Sequence, residues 1–319
     1  MLKGVENIVL TQRDGNPIQA NGIWLSKNEI FSVSAATSAI YNCGLQLHKN
    51  SLKYILIEGQ NAKILLTPLR NSDNPTLNRI LEAQNLPGND EEFFVAITTH
   101  PLVNLGGIFL KTKQTLIEIK KTLILSGEPF KPPLRHYNEE ELKKIYDELN
   151  AKDDLTHSEK MASWNLDINE STQNELDLLL KELNNQTFDV INSYISLDGG
   201  FIIASISNQK DLDPFYIESN SSMTNTLFIT ADKCSWLLKH MHIDSILLEC
   251  ENHFQFINKV DNGILSVSVS KGRQKLGLLR LLIPRYSSKI AHILNETKRK
   301  TPHKQDSSSF ASLFSELML

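Results

Sequence analysis

Asn7-Ile8-Val9-Leu10-Thr11, then Arg13-Asp14-Gly15-Asn16, then Pro17 to Leu25 are three consecutive pieces from which the architecture follows. The first is apolar and β-branched, the second is a turn, and the third returns as a strand. Pro17 stands at the first position of that return strand, where a missing N–H donor is tolerated. An Asp-Gly pair between two apolar runs is the strongest short-range hairpin signal. The chain therefore opens an antiparallel sheet at once.

Beyond the hairpin the period of the pattern changes. Ile30, Val33, Ile40 and Leu47 recur at helical spacing, with small Ala35, Ala36, Ala39, Cys43 and Gly44 between them. Asn28-Glu29 is expected to start this helix and His48-Lys49-Asn50 to end it. Strands are expected at Leu52 to Glu58 and Ala62 to Leu69, turning at Gly59-Gln60-Asn61, and a fifth at Phe93 to Thr98. Asn71 to Asp90 reads as an insertion with a short helix near Thr76 to Gln84. A helix over Leu105 to Leu123 closes this first unit.

Residues 126–168 are the joint. SGEPFKPPL (126–134) is an extended Pro-rich hinge. Asn138-Glu139-Glu140-Glu141 then opens a helix over 138–152, with Leu142, Ile145, Tyr146 and Leu149 on one stripe. From Asn169 the earlier pattern repeats, preceded by an amphipathic helix carrying Leu176, Leu179, Leu180 and Leu183. Val190 to Ile195 and Phe201 to Ile206 flank Asp198-Gly199-Gly200. Thr226 to Met241 is the expected central helix, and Ser245 to Cys250 and His253 to Val260 a strand pair. Ile264 to Ser270 alternates Leu265, Val267 and Val269 with Ser266, Ser268 and Ser270. A last helix is expected from about Ile283-Pro284 to Glu296, with Pro near its first position.

Spacing tests whether the halves are copies. Asp14 and Asp198 lie 184 residues apart. Ile55-Leu56-Ile57-Glu58 and Ile246-Leu247-Leu248-Glu249 lie 191 apart, which leaves 7 extra residues in the second half, near Asn208 to Asp213. Leu105-Gly106 and Leu276-Gly277 lie 171 apart, so the first half holds 20 more residues before its closing helix. That is the length of the 71–90 insertion.

Composition excludes several classes. The net charge of -4 gives no basic footprint for nucleic acid. The opening residues read as neither a secretory signal nor a membrane span. Three cysteines, Cys43, Cys234 and Cys250, are an odd number without CxxC spacing, which fits a reducing, cytoplasmic compartment.

VENIVLTQRDGNPI (5–18), the AATSAI helix (35–40), LKYILIEGQNAKILL (52–66) and FFVAITTHPLVNLGG (93–107) together resemble the roadblock/light-chain-7 family. The ordered set Asp14-Gly15, Glu58-Gly59 and Asn104-Leu105-Gly106 carries the resemblance over roughly residues 5–125. The second half, about 170–297, matches in element order, with Cys250 in place of the glycine and Lys275-Leu276-Gly277 in place of Asn-Leu-Gly. The resemblance implies an α/β (α+β) chain of two profilin-like modules, each a five-stranded antiparallel sheet packed between helices. It implies domains 1–125, 126–168 as linker, 169–297, and a tail 298–319. It also implies pairing of modules through the central helix and an edge strand, as a homodimer or an intramolecular pseudo-dimer. Work as a platform for Ras-like small GTPases follows, with a passive adaptor of a motor or membrane complex as the alternative; any membrane contact would be indirect. The first module lacks the opening helix, and the 138–152 helix or a partner is expected to cover the sheet there.

No Walker loop, dinucleotide fingerprint, nucleophile elbow or HExxH occurs, so no catalytic residue and no cofactor is expected. His240 and His242, with Cys234 and Cys250, lack ligand spacing, so no metal is expected either. The binding residues are expected on the outer face of the first central helix, at Ser34, Ser38, Tyr41, Leu45 and His48. A second candidate is the C-terminal FASLFSELM (310–318). Its Phe310, Leu313, Phe314 and Leu317 follow helical spacing; about ten residues are too short to be stable alone, so the segment is expected to fold on a partner's hydrophobic groove, with docking on its own domain or a frayed end as the alternatives.

Overall fold

The computed structural model describes residues 4–22, 26–48, 51–68, 93–125, 168–208, 214–239, 241–272 and 276–297. The first half contributes β1 (Val5–Gln12), β2 (Pro17–Gly22), α1 (Lys27–Leu47), β3 (Leu52–Gly59), β4 (Lys63–Pro68), β5 (Phe93–Thr99) and α2 (Leu105–Leu125). The second contributes α3 (Glu170–Gln186), β6 (Val190–Leu197), β7 (Ile202–Ser207), α4 (Pro214–Lys239), β8 (Ile243–Cys250), β9 (His253–Val260), β10 (Gly263–Ser270) and α5 (Leu276–Glu296). The expected 71–90 insertion, the 138–152 helix and the 298–319 tail lie outside the described residues.

Both Asp-Gly turns form where expected. Gly15 takes φ +95° and Gly199 and Gly200 take +90° and +84°, backbone conformations that glycine adopts without penalty. All strands pair antiparallel, and the sheet has the order β2-β1-β5-β4-β3-β8-β9-β10-β6-β7. Read inward from each end, the halves match strand for strand. Two five-stranded sheets are thus fused into one of ten, because β3 pairs with β8.

The strands near the seam are apolar on both sides, as β-strands covered on two faces must be. One face carries α1 and α4. Ile40, Tyr41 and Leu45 of α1 and Leu227, Phe228 and Ala231 of α4 pack there on Ile55, Ile57, Ile246 and Leu248. The opposite face carries Leu56, Leu65, Val95 and Leu247 beneath α2, α3 and α5. Each core runs across the seam without a break.

Helix starts follow from local chemistry. Ser26, not Asn28, caps α1: its hydroxyl accepts from the Glu29 N–H at 3.4 Å, and Glu29 Oε2 accepts from the Ser26 N–H at 2.6 Å. This reciprocal box satisfies two donors that a helix start leaves unpaired. Asn169 caps α3 by accepting from the Thr172 N–H at 2.9 Å. Two expectations fail at α4 and α5. α4 begins at Pro214, twelve residues before the expected Thr226, because its polar first turns (Glu218, Ser219, Ser222) are a solvated helix surface. α5 begins at Leu276, and Pro284 lies inside it rather than at its start. Pro284 is on the exposed side, where water can satisfy the carbonyl left without a donor. The serine face of β10 is not a solvent face: Ser266 and Ser268 are buried, and Ser266 accepts from the fully buried Gln255 amide at 3.0 Å.

In the second half α3 packs against α5 and the β6–β7 edge. Among the described residues the first half has no such helix. A shallow apolar groove lies there, lined by Val5, Ile8, Val95, Ile97, Ile108 and Leu116.

Candidate partner interface

The residues expected to project from α1 do not project. Ser34 and Tyr41 are fully buried, and Leu45 and Ser38 are only 3% and 5% exposed. Tyr41 stacks on Phe94 of β5 with ring centroids 4.5 Å apart. The Ser34 and Thr11 hydroxyls hydrogen-bond at 3.2 Å. Ser38 donates to the Arg13 carbonyl, which also accepts from the Asn42 amide at 3.1 Å. Arg13 Nε returns a bond to Asn42 Oδ1 at 2.7 Å. This face of α1 therefore clamps its own sheet and the β1–β2 turn. The expectation assigned the helix faces the wrong way round, because serines and a tyrosine read as polar surface when here the serines are core groups with hydrogen-bond partners and the tyrosine is a ring stacked in the core.

The outward side of α1 carries Ser32, Ala35, Ala39 and Gln46. Beside it lies α4, whose Cys43-facing Thr230 accepts a thiol hydrogen bond at 4.0 Å. Ser222, Thr226 and Lys233 are exposed along α4, and Phe215 and Tyr216 are exposed at its start. Small residues along two adjacent helices let a partner's backbone approach closely, and exposed aromatics supply anchors of the kind that dominate interfaces. The signal was present in the sequence as the Ala35, Ala39 spacing. Its sidedness was not, because both sides of α1 carry small residues. Phe310, Leu313, Phe314 and Leu317 lie outside the described residues.

His48, half-buried, leaves the first half altogether. Its Nε2 lies 2.5 Å from Oε1 of Gln255 on β9, and its ring meets His253 edge-on with centroids 4.8 Å apart. Burial disfavours the charged form of both imidazoles. It lowers His48, and burial together with the neighbouring His48 and Lys271 pushes His253 down to about 4. The Cys250 thiol completes a cluster whose ligand atoms all lie within 4.8 Å of one another. His242, by contrast, stands 3.7 Å from Asp232, and Cys234 lies buried beneath α1, its thiol pushed up to about 12 by burial and by Cys43.

Each half thus has two strands, a long helix on one face of the sheet, three strands and a closing helix on the other face. That order and placement agree with the five-stranded antiparallel sheet between helices that the roadblock/LC7 resemblance implies for each half. No family profile and no curated protein matches the sequence. Among solved structures the chain is similar to MglB of Myxococcus xanthus, at 20% identity and a TM-score of 0.36, over 42% of this chain and 98% of that one. It is similar to the gliding protein MglB of Thermus thermophilus at 17% identity and a TM-score of 0.37, over 41% and 96%. A Roadblock/LC7 domain from Streptomyces avermitilis is similar at 12% identity and a TM-score of 0.34, over 37% and 97%.

Proposed function

We propose that the protein is a non-catalytic regulator or scaffold of Ras-like small GTPases, with two roadblock-type modules (1–125 and 169–297) paired inside one chain. The observation that supports this reading is the seam itself. An edge strand and a central helix from each half meet their counterparts, β3 with β8 and α1 with α4. These are the elements through which the roadblock resemblance implies pairing between separate modules. The paired helices then offer one continuous surface, Ser32, Ala35 and Ala39 beside Ser222, Thr226 and Tyr216, to a single GTPase.

A regulator built this way needs no nucleophile of its own. Binding energy spent on a GTPase's switch segments repositions that enzyme's own catalytic groups. The segment with Phe310, Leu313, Phe314 and Leu317 is assigned to the same binding apparatus, and three cysteines outside any disulfide suit a cytoplasmic setting. The test is single-turnover GTP hydrolysis and nucleotide exchange on Ras-like GTPases, with and without the full chain. A changed rate is the expected result. Stable capture of a GTPase without any change in turnover makes the protein a passive adaptor, and capture of none overturns the reading. Removal of 307–319 is expected to weaken capture; unchanged capture takes that segment out of the interface.

A further inference from the structure

We propose that His48, Cys250 and His253 bind one zinc-type divalent cation, which fastens the end of α1 in the first half to the β8–β9 hairpin of the second. Cys250 and His253 flank the two-residue turn Glu251-Asn252, so the hairpin presents a Cys-x-x-His pair. His48 reaches it from the other half, and the three ligand atoms lie within 4.8 Å of one another. In a tetrahedral zinc site with ordinary bond lengths, donor atoms stand about 3.3–3.7 Å apart. Small side-chain rotations close that difference. Two imidazoles and a thiolate are a donor set that suits zinc, with water in the fourth position.

The surroundings are those of a ligand set. Gln255 is fully buried, and its amide N–H groups donate to Thr224 Oγ1 at 3.1 Å and Ser266 Oγ at 3.0 Å. Its Oε1 therefore faces His48 as an acceptor, so His48 Nε2 carries the proton and Nδ1 holds the free lone pair. A ligating histidine whose second nitrogen donates to a fixed oxygen is the usual supporting arrangement around a bound metal. The nearby cation, Lys271, is spoken for: it is paired with Glu249 and lies 4.9 Å over the Phe254 ring.

The internal repeat supplies a control. Residues 191 positions away from the three donors are Gly59, Ala62 and Lys239, which offer no such set. That corner is closed by packing instead, since a side chain at Gly59 would meet the His242 carbonyl oxygen at 2.6 Å. The donors are therefore a property of one end of the seam and not a consequence of how the halves join.

The full chain, stripped of metal with a chelator, is titrated with Zn2+ against a chromophoric competitor and with Co2+ by absorption spectroscopy. One equivalent is expected, with a thiolate-to-cobalt charge-transfer band and the strong visible bands of tetrahedral cobalt. Cys250→Ser is expected to remove the charge-transfer band, and His48→Gln to weaken Zn2+ binding at least tenfold. Cys43→Ser and Cys234→Ser keep both signals. Circular dichroism establishes that each variant is folded, and His48→Gln, at a half-buried helix end, serves if Cys250→Ser does not fold. Absence of a one-to-one Co2+ complex, or a complex that His48→Gln and Cys250→Ser leave unchanged, overturns the proposal.

Discussion

Leu56 of β3 pairs directly with Leu247 of β8, the residue 191 positions later that is its own counterpart in the repeat. Ile55 opposes Leu248 and Ile57 opposes Ile246, so the register is self-complementary about the Leu56–Leu247 pair. A twofold-symmetric contact between two copies has this property, and here it occurs within one chain. Both leucines point to the face shared with α2 and α5, inside one core that spans the seam.

One seam predicts one transition. Leu56→Ala is expected to cost about 2–5 kcal/mol, the range for truncating a buried leucine. Because the sheet is continuous, urea unfolding of the wild type should be a single step by fluorescence and circular dichroism alike. Two separated transitions, with the variant shifting only one, would show that the halves are stable independently.

The charged contact across the seam makes a second case. Arg280 of α5 donates through Nη2 to both carboxylate oxygens of Glu58 at 2.5 and 2.7 Å, and Lys63 stands 3.0 Å from the same group. Glu58 belongs to the first half and Arg280 to the second. Hydrogen bonds to charged groups contribute about 1.5–3 kcal/mol each, and the partial exposure of these side chains puts the pair at the lower end. Arg280→Ala should therefore lower stability by about 1–2 kcal/mol in denaturant titration. Arg280→Lys should recover part of it, since a single nitrogen makes both bonds to Glu58 and an ammonium keeps the charge and the donors.

How far the sequence carried the fold depends on where each signal resides. Hairpins were legible because Asp14-Gly15 and Asp198-Gly199 combine turn chemistry with flanking apolar runs. The repeat was legible because Ile55-Leu56-Ile57-Glu58 recurs as Ile246-Leu247-Leu248-Glu249. The start of α4 was not, since Glu218 to Ser222 has no apolar stripe and helical order there comes from packing further along. Nor was the outward side of α1: Ser34, Ser38 and Tyr41 look like surface residues until Thr11, Arg13 and Phe94 are placed beneath them. The His48–Cys250–His253 cluster is out of reach of any local pattern, because about two hundred residues separate His48 from its neighbours.

Thiol chemistry follows from the same packing. Cys43 and Cys234 are counterparts in the repeat, on α1 and α4. Burial raises the Cys234 thiol to about 12, so almost no thiolate is present at neutral pH. In native protein Cys234 should resist alkylation by iodoacetamide at pH 7.5 and react at once in denaturant, read by mass spectrometry of the tryptic peptide. Rapid native labelling would mean that α4 opens locally away from α1.

The exposed side of α1 separates binding from folding. Ala39 faces outward, so Ala39→Arg adds bulk and charge to the proposed GTPase surface while staying within about 0.5 kcal/mol of wild-type stability. Tyr41, two positions on, is fully buried against Phe94, and Tyr41→Ala should cost about 3–5 kcal/mol. The expected result is that Ala39→Arg abolishes GTPase capture with an unchanged melting temperature, and that Thr226→Arg on α4 does the same. Tyr41→Ala lowers the melting temperature and loses capture only as the protein unfolds. If Ala39→Arg and Thr226→Arg both bind a GTPase like the wild type, the paired-helix face is not the contact. The partner must then be sought on the opposite side of the sheet, beginning with the groove between β1, β5 and α2.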